Sequence, residues 1–212
     1  MKRGWYTFAL WVSRMFCVVF FRMHIHGQGN VPKKGPFILI SNHQSYIDPM
    51  FCGAPIPRQI SYVGRDSLFK NWMLRNFMLS VGFIAIRRDK PDLTSIKRML
   101  ARLSDGFGLC LFPEATRTSD GRIAPLKPGF SFIVRKSKAP IVPVIIEGAF
   151  DCWPRHQKLF RPGQHISVNY GRCIQPEEVK EMTDKELAQY MTDIMRDMLN
   201  KCRIKRGKKP YK

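Results

Sequence analysis

The segment PFILISNHQSYIDP, residues 36–49, decides the fold. Residues 36–41 are a short apolar run, the pattern of a strand buried on both faces, and a polar loop (42–46) follows without a spacer. Similar runs recur at 81–86, 109–112, 141–146 and 166–170, with helical periodicity between several of them. That alternation predicts an α/β fold, with a largely parallel central sheet flanked by helices.

Two connecting segments read clearly. Residues 93–103 place Leu93, Ile96, Leu100 and Leu103 on one helical face, and Asp105-Gly106 closes the helix. The last helix opens on Thr183-Asp184-Lys185-Glu186, a capping box, and its expected buried stripe is Leu187, Tyr190, Met191, Ile194, Met198 and Cys202. Beyond it the basic tail, 204–212, is expected to be too charged to pack. No internal repeat or linker interrupts 25–203, and 212 residues suit one core and one site.

Upstream, residues 1–24 hold an apolar stretch, 5–21, that carries Arg14 and falls short of the roughly 20 apolar residues a spanning helix needs. Trp5, Phe8, Val12, Met15 and Val19 recur at helical spacing, beside a thin polar strip of Arg3, Thr7 and Arg14. This predicts an apolar helix lying at a membrane surface. A secretory leader competes, but FFRMHIHGQGN offers no small-x-small cleavage pattern; a helix packed on the protein's own core is the other alternative.

Thirty-six Lys plus Arg against sixteen Asp plus Glu leave a net charge of +20, which attracts polyanions: nucleic acid, anionic membrane or a phosphorylated substrate. The aromatics concentrate in apolar runs, and no nucleic-acid-binding signature is present, so nucleic acid is not an expected partner. The six cysteines form no CxxC pair and have no histidine at ligand spacing. They read as reduced packing residues of a cytoplasmic protein, with no metal site.

The chemistry concentrates at two strand ends. In the first, His43 and Asp48 stand five residues apart. A histidine with one ring nitrogen bonded to a carboxylate is fixed in tautomer, and its other nitrogen is free to take a hydroxyl proton. The competing reading makes Ser45-Tyr46-Ile47-Asp48 a capping box and His43 an ordinary loop residue. In the second, LFPEATRT, Glu114 and Arg117 follow another buried strand. Arginine offers a fork of donors matched to phosphate oxygens, and Glu114 could hold that fork or accept a substrate hydroxyl; a plain surface ion pair is the alternative.

These clusters, with GFIAIRR (82–88) and APIVPV (139–144), resemble the four ordered blocks of the 1-acylglycerol-3-phosphate O-acyltransferase family of glycerolipid acyltransferases. The resemblance runs from about residue 5 to 175 and implies the following. His43 is the general base and Asp48 its orienting partner, with Asn42 beside them in the NHxxxxD block. Arg88 or its neighbour Arg87, from the second block, and Glu114, Thr116 and Arg117, from the third, bind substrate, and Arg65 is a further basic residue of that group. Ala115 stands where the family has glycine, so a positive φ there would strain it. Pro143 and Val144, of the fourth block, lie near the acyl chain.

The expected reaction moves an acyl group from acyl-CoA or acyl carrier protein to a lysophospholipid hydroxyl at the cytoplasmic face of a membrane, as a monotopic protein on an anionic surface, with no cofactor. The alternatives are a covalent route through Ser45 or Cys52, a hydrolase that delivers the acyl group to water, and a non-catalytic basic protein binding membrane or nucleic acid.

Overall fold

A computed structural model describes residues 3–66, 71–87, 92–155 and 157–211. Seven strands form one sheet: β1 (Arg22–His26), β2 (Phe37–Ser41), β3 (Ile60–Arg65), β4 (Ile84–Ile86), β5 (Gly108–Leu111), β6 (Ile141–Glu147) and β7 (His165–Tyr170). Their order is β1-β7-β6-β2-β5-β3-β4, and every neighbouring pair is parallel except β6 with β7. The helices are α1 (Arg3–Phe20), α2 (Asp48–Gly53), α3 (Trp72–Ser80), α4 (Leu93–Ser104), α5 (Phe130–Ser137), α6 (Ala149–Cys152) and α7 (Asp184–Lys205).

The central strands are apolar throughout because both faces are covered. Ile38 and Ile40 of β2, Leu109 of β5 and Ile141 and Ile145 of β6 pack on α4, α5 and α7 through Met99, Leu103, Ile133 and Met191. Their alternates Phe37, Leu39, Cys110, Val142 and Val144 pack on α1 and α2 through Cys17, Phe51 and Cys52. A period of two thus divides each strand between two cores. All six cysteines are free, and five are buried.

Several boundaries differ from the sequence reading. The run at 81–86 yields only Ile84–Ile86, since Val81 and Gly82 form the turn that ends α3. Leu93 of α4 is 67% exposed; with Asp92 as N-cap, accepting from Ser95 N, the buried stripe is Ser95, Met99 and Leu103. The capping box of α7 is present, with Thr183 and Glu186 each satisfying the other's backbone N–H, but its buried stripe centres on Leu187, Met191, Met195, Leu199 and Cys202.

The expectation of an unpacked tail fails. Tyr211 exchanges two hydrogen bonds with the side chain of Asn200, and Lys208 Nζ lies 3.0 Å from Glu147 Oε1 and 2.9 Å from Asp151 Oδ2. Glu147 also pairs with Arg203 and Arg206. Carboxylates distant in sequence neutralise the tail locally.

Helix α1 turns its aromatic stripe outward. Tyr6, Cys17 and Phe21 anchor the segment to the body, and Arg14 Nε donates to Ala54 O (2.6 Å), so this arginine faces the protein. Phe8, Trp11, Val12, Met15, Val18 and Val19 are exposed. Among the described residues no helix is long and apolar enough to cross a membrane, as the sequence implied.

Candidate active site

Strand β2 lies between β5 and β6, so the chain leaving β5 returns to the sheet on the other side of β2. Such reversals open a crevice beyond the carboxyl ends of the strands. Two loops fill it, residues 42–47 after β2 and 112–124 after β5.

His43 Nδ1 lies 2.8 Å from Asp48 Oδ2. The same oxygen accepts from Gln44 N (2.6 Å) and Ser45 N (2.7 Å), so the first residue of α2 both caps its own approach loop and holds the imidazole. Helix α2 itself has Ile47 at its N-cap with no side-chain cap hydrogen bond, so the capping box that the sequence offered as the alternative does not form. Asp48 is fully buried, the His43 side chain is 21% exposed, and its ring stacks on Phe112 at 4.5 Å between centroids. With Nδ1 taken by the carboxylate, Nε2 is the nitrogen that can meet a substrate proton. Ser45 and Cys52, the alternative nucleophiles, are fully buried.

The second loop clamps the first. His43 N donates to Glu114 Oε1 (2.7 Å), Thr118 N donates to His43 O (2.8 Å), and Glu114 Oε2 accepts from Ala124 N (3.1 Å). Glu114 therefore has both oxygens on backbone amides and positions the loop, where the sequence suggested contact with Arg117 or a hydroxyl. Burial pushes its carboxyl up from about 4.5 to about 7, against the lowering effect of the two amides.

Glu114 holds a proton in the folded state, between pH 4.5 and 7, that the unfolded chain has lost, so its contribution to stability is full below 4.5 and declines as pH rises to 7. We expect the stability difference between wild type and Glu114→Gln to shift toward the variant by on the order of 3 kcal/mol over that interval, checked by urea denaturation at a series of pH values.

Ala115 has φ of 61°, the strained position anticipated from its place in the block. An alanine in this region is disfavoured by about 1 kcal/mol relative to glycine. Ala115→Gly should accordingly raise the melting temperature by about 2–4 °C in a chain of this size, measured by calorimetry.

Two residues on, the Arg117 guanidinium lies 3.4 Å from the Tyr46 ring centroid, and among the described residues its buried Nη1 has no hydrogen-bond partner. A buried guanidinium N–H without an acceptor is costly unless an anion completes it. Thr116 is exposed beside it. A line of rings leads away from this point, from Tyr46 to Trp153, Phe160 and then Phe16 and Phe20 at the end of α1.

The remaining expected residues are dispersed. Asn42 exchanges both amide hydrogen bonds with the backbone of Ile146, at 2.9 and 2.8 Å, and is 1% exposed, so it continues the β2–β6 pairing instead of lining the crevice. Arg65 ends β3 and Arg87 follows β4, both exposed at the same end of the sheet but separated from β2 by β5. Arg88 lies outside the described residues. Pro143 and Val144 are buried within β6. The sequence reading missed Phe112, Tyr46 and Gln44 as site residues; all three lie within the two blocks themselves, and that position was the available signal.

Residues 22–147 match the Acyltransferase family model. A 1-acyl-sn-glycerol-3-phosphate acyltransferase of Bacillus subtilis (strain 168) is 26% identical over 182 residues, which cover 85% of this chain and 88% of the relative. One from Limnanthes alba is 32% identical over 146 residues, covering 68% of this chain and 52% of its own length. This chain thus spans about half of several plant relatives. The crystal structure of a 1-acyl-sn-glycerophosphate (LPA) acyltransferase from Thermotoga maritima shares the fold, with a TM-score of 0.77 at 20% identity, covering 92% of this chain and 81% of that one.

Proposed function

This chain belongs to the acyltransferase family, and we propose that it transfers a fatty acyl group from a thioester to the free hydroxyl of 1-acylglycerol-3-phosphate, giving phosphatidic acid. The observation that carries the reading is the pairing, on two interlocked loops, of a carboxylate-held histidine with a half-buried arginine whose inner Nη1 has no hydrogen-bond partner among the described residues. The activity for which the relatives are named supports it.

In this reading His43 Nε2 takes the acceptor hydroxyl proton as its oxygen attacks the thioester carbonyl. The tetrahedral intermediate collapses, the carbon–sulfur bond breaks, and the departing sulfur takes the proton from His43. Asp48 holds the ring and stabilises its charged form. Arg117 holds the acceptor's phosphate, with Thr116, exposed beside it, as a further contact, and the family resemblance adds Arg65 and either Arg87 or Arg88 to the substrate-binding set. Asn42 and Glu114 keep the loop in place. The donor is acyl-CoA or acyl carrier protein, either of which suits a chain of net charge +20.

The protein docks on an anionic membrane as a monotopic protein. Supporting this, the exposed stripe of α1 adjoins exposed Trp72, Met73 and Phe77 of α3, and Trp5 Nε1 donates to Ser80 Oγ (2.8 Å) between the two helices. The line of rings from α1 to Tyr46 offers an apolar path for the acyl chain, with Val144 in the core on that face of the sheet, whereas Pro143 lies on the opposite face, near Met198 of α7. Free cysteines fit the cytoplasmic face. The test is an acceptor panel: turnover should require a phosphomonoester, falling sharply with 1-acylglycerol or lysophosphatidylcholine, and equal rates on all three would refute phosphate recognition.

A further inference from the structure

His43 is flanked by two side chains that anchor its loop. Asn42 binds the backbone of Ile146, next to Glu147. Gln44, 3% exposed, donates from Nε2 to Gly121 O (3.1 Å) and accepts at Oε1 from Phe150 N (3.2 Å). Both anchor points are in turn held by the C-terminal residues. Arg203, Arg206 and Lys208 converge on Glu147, which is 2% exposed, and Lys208 also reaches Asp151.

Tyr211 covers the other anchor. Its hydroxyl donates to Asp120 O (3.4 Å), and its ring takes Arg203 at 3.7 Å and Arg122 at 5.6 Å from the centroid. Gly121 has φ of 85°, and a Cβ added there would lie 2.4 Å from the Tyr211 hydroxyl oxygen, so the hydroxyl end of the side chain abuts the turn. Together Gln44, Gly148, Phe150 and Tyr211 help line one cavity of about 390 Å³.

We propose that Tyr211 is a positioning residue for the reaction: by pressing on the 118–122 turn it fixes Gln44, and through Gln44 the backbone of His43. The inference rests on the reading of His43 as base. The ring carries the effect, because the hydroxyl bond is long, whereas Arg203 lies close over the ring and Arg122 stands within cation–ring range on the turn itself.

The full chain would be compared as wild type, Tyr211→Ala and Tyr211→Phe, by steady-state kinetics and by hydrogen exchange of backbone amides. Tyr211→Ala should lower kcat about tenfold, as expected for a loosened catalytic geometry, while KM for 1-acylglycerol-3-phosphate changes less than about twofold. Exchange should quicken at residues 42–48 and 118–124 and stay unchanged in β2 and β5, with Tyr211→Phe close to wild type in both measurements. Unchanged exchange at 42–48, local loosening with normal kcat, or faster exchange throughout the sheet would each overturn the proposal. The exchange arm does not depend on turnover, whereas normal turnover in His43→Ala would refute the base assignment alone.

Discussion

His43→Ala should lower turnover of 1-acylglycerol-3-phosphate by about 10²- to 10⁴-fold, the range that a positioned general base supplies. The variant should fold, because the backbone clamps survive: residue 43 still donates to Glu114 and accepts from Thr118, and Asp48 Oδ2 keeps the amides of Gln44 and Ser45. What disappears is the proton acceptor and a ring stacked on Phe112. Binding to anionic vesicles should be unaffected, since the exposed face of α1 is unchanged. A non-catalytic membrane protein would also retain vesicle binding but would have no turnover to lose, so the two readings separate on one pair of samples.

Arg117→Ala should reduce kcat/KM for the phosphate-bearing acceptor by about 10²-fold, corresponding to the loss of one or two charge-assisted hydrogen bonds. Arg117→Lys should recover only part of this, because an ammonium keeps the charge but lacks the planar fork that lies on Tyr46. The measurement is acceptor saturation kinetics on all three proteins. A loss equally large with an acceptor lacking the phosphate would assign Arg117 to loop structure, and with it the buried Nη1 would lose its functional reading.

The parts of this molecule that were legible in the sequence are those fixed by local pattern. Strands β2, β5 and β6 are nearly uniform apolar runs because both faces are buried, β7 alternates Ile166, Val168 and Tyr170 with polar residues, and His43, Asp48 and Arg117 declare themselves by spacing just past β2 and β5. Strand β3 escaped notice because Ser61, fully buried, interrupts its run, and that serine accepts from Arg102 Nε of α4. Strand β1 is a mostly exposed edge reading RMHIH, which has no hydrophobic signature at all.

Roles set by tertiary partners were the least visible. Glu114 looked like a partner for arginine or substrate, but the amides that take its oxygens arrive from residues 43 and 124. Asn42 looked like part of the crevice, and its amide belongs to β6. The tail looked too charged to pack because Glu147, the carboxylate that gathers its cations, stands some sixty residues earlier. Charge alone says nothing about which opposite charges folding will bring near.

The most direct measurement supplies the purified full chain in detergent with a thioester labelled in its acyl group, with and without 1-acylglycerol-3-phosphate, and separates the lipid products. The account predicts label in phosphatidic acid, only when the acceptor is present; label released as free fatty acid at the same rate without acceptor, or no turnover with either acyl-CoA or acyl carrier protein as donor, would contradict it.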